Sequence, residues 1–290
     1  MAASFAILTE AACDLDAQRL AALGVIAVPV PITVDGQAFQ HYPDGRDISF
    51  QEFYAQLRKK AVIKTSAPAP EAFVELAEPL LEAGQDLLYL GLSPTLSGTF
   101  QSGEIALGLL RERFPERRIV GLDTCSGAMG EALLVEMAAR CRDEGMSLEQ
   151  TARTVADNRL RVAHFFTLDD LDYLRRSGRL TAYAAALGTI LQIKPVLRLS
   201  AEGLFTVYAR VRSYHKAVAR LFEVVAERAF DLKNQVVYIS HADVRETAEK
   251  LAQRIRLAGA KDTVITLLGP AIAAHFGVGG IGVAFLAEAR

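Results

Sequence analysis

Four short stretches carry residue types able to hold an anion: Thr9–Asp14, Thr65–Pro70, Ser93–Thr99 and Ser126–Gly130. Each carries Ser or Thr, and acidic residues are sparse, Glu10 and Asp14 alone, which suits an oxyanion bound by side-chain O–H and backbone N–H groups. The central one, Ser93-Pro94-Thr95-Leu96-Ser97-Gly98-Thr99, follows the apolar run Leu87-Leu88-Tyr89-Leu90-Gly91-Leu92 and precedes a helical pattern. That order reads as buried strand, loop and helix start. In a parallel sheet, the loop at the carboxyl end of a strand borders the crevice where ligands bind. The N–H groups at the start of the next helix favour negative charge, and Ser97 and Thr99 would add hydroxyl donors. The expected chemistry is a carboxylate or phosphate held without a formal positive charge. The loop alone is equally consistent with Ser97 simply capping the helix.

Other chemistries find less support. Gly91-Leu92-Ser93-Pro94-Thr95 begins a nucleophile elbow but lacks its closing glycine, and Pro94 has no N–H to give an oxyanion hole. His164, His241 or His275 could act as base, yet no spacing selects one. A Walker A loop and a Gly-x-Gly-x-x-Gly turn after the first strand are both absent. No His, Cys and carboxylate grouping has metal-ligand spacing, and Cys13, Cys125 and Cys141 are odd in number and far apart. His275 stands before Phe276-Gly277-Val278-Gly279-Gly280, either as a helix-terminal residue or as a group brought close to a bound head group. Arg179 is either an exposed loop cation or a partner for a ligand carboxylate or a phosphate. Arg210 and Arg212 share one strand face, as a solvated surface or a docking patch for an acidic partner. Leu168, Leu171, Leu174, Ile190 and Leu191 are either core or the wall of a slot for a long apolar ligand.

The elements that must position these residues follow from periodicity. With 290 residues, 51% hydrophobic, the chain is long enough for two domains. In the first half, strands at 5–8, 25–34, 87–92 and 118–123 alternate with helices at 17–23, 50–59, 71–83, 103–113 and 130–142. Asp35-Gly36 marks a hairpin. This predicts an N-terminal three-layer domain with a parallel sheet, residues 1–146. The second half has a helix at 147–159, a strand at 161–167, a short helix at 169–175 and an alanine-rich helix at 181–191. Strands at 194–199, 203–208 and 209–212 follow, then helices at 214–229, 244–258 and 271–275 among strands at 235–240, 263–267 and 281–287. It predicts a C-terminal α+β domain with a mixed sheet, residues 147–290. A formal charge of -2 gives no footprint for nucleic acid. No apolar run is long enough to span a bilayer, and the first residues lack the basic flank of a signal peptide, so the chain reads as cytoplasmic without stable membrane insertion.

Taken in order, the motifs resemble the DegV family along the whole chain. The residues that carry the resemblance are Thr9-Glu10-Ala11-Ala12-Cys13-Asp14-Leu15, Asp44-Gly45-Arg46-Asp47-Ile48-Ser49, Lys64-Thr65-Ser66-Ala67-Pro68, Leu96-Ser97-Gly98-Thr99-Phe100-Gln101-Ser102, Asp169-Asp170-Leu171-Asp172-Tyr173-Leu174, Gly178-Arg179-Leu180, Ile193-Lys194-Pro195 and His275-Phe276-Gly277-Val278-Gly279. The resemblance implies a two-domain α/β protein that binds a long-chain fatty acid, such as palmitate, in a tunnel between its domains. It assigns the carboxylate to Thr65 and Ser97, with His275 and Arg179 beside them and Ser66, Gly98 and Thr99 in the same motifs. It implies no cofactor, no metal and no catalytic residue. It also implies an ATP-binding fatty acid kinase partner that phosphorylates the presented carboxylate. Glu10, Ala11 and Cys13 depart from the hydroxyl-rich first motif of the family, as do Pro94, Thr95 and Val278 from its later loops. A lipid-ester serine hydrolase using Ser93 or Ser97, and a regulatory protein with a structural lipid, are the competing expectations.

Overall fold

The computed structural model describes residues 5–178 and 193–290. Its first sheet is parallel, with β2 (Val25–Val28), β1 (Phe5–Glu10), β6 (Asp86–Gly91) and β7 (Ile119–Asp123) side by side in that order. Both faces are covered, so these strands read as continuous apolar runs instead of alternating. Ala6, Leu8, Leu87 and Tyr89 meet α3 (Pro70–Glu82) and α4 (Thr99–Arg113). Phe5, Ile7, Leu88 and Leu90 face the opposite way, toward α5 (Met129–Asp143). A small antiparallel sheet, β4 (Gln37–His41), β3 (Val30–Val34) and β5 (Ile63–Thr65), projects from this layer.

The second sheet is mixed and six-stranded. Its order is β10 (Phe205–Val211), β9 (Lys194–Leu199), β8 (Val162–Thr167), β13 (Ile281–Leu286), β11 (Val236–His241) and β12 (Asp262–Leu267). Only β11 and β12 run parallel. Ala163, Phe165, Val283 and Phe285 pack on α8 (Tyr214–Arg228) and α9 (Arg245–Leu257). Phe166, Leu197 and Tyr238 point the other way and join the core that holds α5. Helix α5 therefore lies between the two sheets, touching β1 and β6 on one side and β8, β11 and β13 on the other. Small residues such as Gly130, Ala132, Ala138 and Ala139 let it be buried nearly all round. Helix α6 (Leu148–Asn158) packs on α5, β6 and β7.

The predicted two-domain α/β architecture is the one observed, with local differences. Pro29 splits the expected strand 25–34, and its second part leaves the parallel sheet for the antiparallel one. Helix α4 starts at Thr99 instead of 103, because residues 93–97 already form a turn, with the Leu96 and Ser97 N–H groups donating to the Ser93 carbonyl. The two short strands expected over 203–212 are one strand, β10, with an irregularity between Val207 and Ala209. The short helix α7 (Asp172–Arg176) begins three residues later than expected. The helix expected at 181–191 lies outside the described residues. No helix among those described is long and apolar enough to cross a membrane.

Candidate functional site

The carboxyl end of the parallel sheet faces a slot with about 840 Å³ of empty space, open solvent at its mouth included. Leu92, Leu96 and Met129 come to its wall from the first half of the chain, and Phe166, Phe205 and Phe276 from the second. None of its described wall residues is Lys, Arg, Asp or Glu. Thr65, Ser66, Ser97, Thr99 and His275 supply polar groups to the same slot.

Each of these is held by a nameable contact. Thr65 ends β5 and pairs with Ile32 of β3, and the Ser66 N–H donates to the Pro31 carbonyl. The two prolines that follow keep the loop extended until α3 begins at Pro70. Ser102 on α4 donates its hydroxyl to the Pro68 carbonyl, which fastens that loop to the helix carrying Thr99. A Cβ on Gly98 would lie 3.9 Å from the Ala67 Cβ, so the Thr65 and Ser97 loops are neighbours. Gly98 is the N-cap of α4 and contributes backbone here, while Ser97 Oγ accepts from the Thr99 N–H at 3.3 Å and stands 2.9 Å from Thr99 Oγ1.

His275 arrives from the other end of the sequence on α10 (Pro270–Phe276). Its Nε2 is 3.0 Å from Thr65 Oγ1. Gly277 ends that helix at φ 68°, and a Cβ there would come 2.2 Å from the Tyr173 ring. At the start of α10, the Gly269 N–H donates to Asp14 Oδ1 at 2.9 Å, and Tyr54 donates its hydroxyl to the Leu268 carbonyl at 2.7 Å. Arg179 lies outside the described residues.

The Thr9–Asp14 stretch acts mainly as a support. Glu10 is fully buried and its Oε1 accepts from the Leu92 N–H at 2.6 Å, which fixes the strand end just before the Ser93 loop. Thr9 donates to Glu131 Oε1 of α5 at 2.9 Å. Burial pushes the Glu10 carboxyl up to about 8, and burial with the neighbouring Glu10 raises Glu131 as well. Ala12 is the member of this stretch that reaches the slot.

Sequence reasoning offered His164 only as a possible base, whereas the structure places it at the slot wall. His164 on β8 has Nε2 3.0 Å from Ser126 Oγ, and Arg290 Nη2 donates to that hydroxyl at 3.1 Å. The 126–130 loop stands out in the sequence and contains Ser126; nothing in the sequence joins Ser126 to His164 or to Arg290. Ser93 and Ser97 are not paired with any imidazole among the described residues. Ser93 Oγ is 2.9 Å from Thr95 Oγ1, and the His241 Nδ1 accepts from the Val244 N–H.

Fold and slot together define an α/β protein of two sheets around a shared helix, with hydroxyl and imidazole groups gathered in an apolar cavity. The chain belongs to the DegV family: the model for uncharacterised proteins of that family matches residues 4–288. It is 33% identical over 287 residues to a DegV domain-containing protein of Clostridium perfringens, covering 99% of this chain and 98% of that one. Among solved structures it resembles a Thermus thermophilus DegV family protein described for its fatty acid binding, at 29% identity and TM-score 0.86, over 98% and 99% of the two chains. A fatty acid binding DegV family protein from Streptococcus agalactiae is similar at 28% identity and TM-score 0.84, over 99% and 100%.

Proposed function

We propose that this protein binds a long-chain fatty acid in the slot between its two sheets, with residues 1–146 and 147–290 as the flanking domains. The carboxylate accepts hydrogen bonds from Thr65 and Ser97, with His275, Ser66, Thr99 and the Gly98 backbone completing the polar side and Arg179 as a further partner. The observation that carries this reading is the meeting of Thr65, Ser97 and His275 in a cavity walled mostly by apolar side chains and, among the described residues, by no charged carboxylate, lysine or arginine. A chain of C16 length buries on the order of a dozen methylenes, each worth ~0.8 kcal/mol before the losses of association. Affinity then comes chiefly from the slot, while the hydroxyls orient the acid and offset the desolvation of its head group. The fatty acid binding described for the Thermus thermophilus and Streptococcus agalactiae relatives supports the same ligand class.

Binding is favoured over ester hydrolysis because the Ser93 and Ser97 hydroxyls meet threonine hydroxyls instead of a base. The carboxylate so held is presented to an ATP-binding fatty acid kinase subunit, which phosphorylates it in the cytoplasm; this protein supplies the acyl group and no catalytic residue. Native mass spectrometry of protein purified from bacteria should reveal a co-purified acyl ligand. A protein that remains empty after incubation with C14 to C18 acids refutes the reading.

A further inference from the structure

One polar side chain on the slot wall has no part in holding a carboxylate. His164 is 6% exposed and shares one face of β8 with Phe166, two residues on, and both border the slot. The face formed by Ala163 and Phe165 points away, into the core under α8 and α9. A guanidinium only donates, so Ser126 Oγ accepts from Arg290 Nη2. Ser126 Oγ could accept a second time, but no other acceptor for its hydrogen is in reach among the described residues, so that hydrogen is directed at His164 Nε2, 3.0 Å away. An imidazole that accepts at Nε2 carries its proton on Nδ1 when neutral. Burial, reinforced by the Arg290 charge, keeps it neutral. A Cβ on Gly130 would fall 1.8 Å from His164 Cε1, so the ring rests against the first turn of α5. Among the described residues the ring's one hydrogen bond is at Nε2, and Nδ1 has none.

We propose that His164 Nδ1–H is a second polar anchor in the slot, and that it selects fatty acids bearing a hydroxyl or oxo oxygen on the chain, away from the carboxylate. The inference rests on the fatty-acid reading of the slot. A plain methylene leaves a buried donor unpaired, whereas a chain oxygen at the right carbon satisfies it. A site built to hydrogen-bond an oxygen discriminates against the analogue that lacks it far better than an apolar pocket discriminates by size. Ser126 and Arg290 act as positioning residues, because they set the tautomer that makes Nδ1 a donor.

The test is competitive displacement of a fluorescent fatty acid from the delipidated full chain, comparing stearate with stearates hydroxylated at successive carbons from 8 to 16. At least one isomer should bind about tenfold tighter than stearate, and His164→Leu should abolish the preference. If every isomer binds no better than stearate, the second anchor is refuted and the fatty-acid reading stands. If neither stearate nor any isomer binds, both are refuted. Should His164→Leu not fold, ¹⁵N-histidine spectra of the unsubstituted protein decide. The preferred isomer should shift an Nδ1–H resonance that stearate leaves in place, and an Nε2–H tautomer overturns the proposal.

Discussion

Thr65 and His275 stand 210 residues apart in the chain, yet Thr65 Oγ1 lies 3.0 Å from His275 Nε2. One ends a strand of the small antiparallel sheet and the other closes a seven-residue helix near the end of the chain. Thr65→Val removes the hydroxyl while keeping the branched shape. It should weaken fatty acid binding about tenfold, and Ser97→Ala should do likewise. Isothermal titration with palmitate checks this; unchanged affinity in both variants removes the carboxylate from this corner.

Gly277→Ala tests whether the helix that delivers His275 is held by its end. The added methyl meets both a positive φ and the Tyr173 ring. The expected loss is about 1–3 kcal/mol of stability, read as a lower Tm by calorimetry, with palmitate affinity falling too. A Tm equal to that of the unsubstituted chain contradicts the close packing at this turn.

Tyr54→Phe deletes the hydroxyl that donates to the Leu268 carbonyl just ahead of α10. The buried carbonyl then lacks that bond, and stability should fall by about 1 kcal/mol in urea unfolding. A midpoint that does not move places no demand on this bond.

Glu10 gives a pH dependence of known sign. Its carboxyl is held up to about 8 in the folded protein against an ordinary 4.5, chiefly by burial. The folded state therefore keeps a proton that the unfolded chain releases. That contribution is fully present below about pH 4.5 and is lost as pH rises toward 8. Glu10→Gln keeps an oxygen for the Leu92 N–H and cannot ionise. Urea midpoints measured from pH 5 to 8.5 should fall less steeply for the variant; parallel curves contradict a buried neutral Glu10.

Much of this arrangement was legible because it is local. Ser49 and Glu52 cap α2 (Phe50–Arg58) reciprocally, and Asp35 and Gly36 both take the positive φ their hairpin needs. Thr65, Ser97 and His275 were visible as motif residues, since hydroxyls in loops after strands have few other reasons to cluster. What escaped notice depends on contacts distant in sequence. The burial of Glu10 and Glu131 against each other contradicts their residue type, and only the packing of α5 against β1 explains it. His164 looked like one polar residue in an apolar strand until Ser126 and Arg290 came beside it. The early start of α4 escaped because the turn over residues 93–97, closed onto the Ser93 carbonyl, leads directly into the helix at Thr99.

Helix α5 is common property of both sheets, and this limits how cargo can be loaded. Parting the two sheets would strip α5 of one of its two packed faces, at roughly 1.5–3 kcal/mol for each large apolar side chain bared. On the proposed reading, a fatty acid would therefore enter and leave at the mouth of the slot, with the two sheets held together around α5.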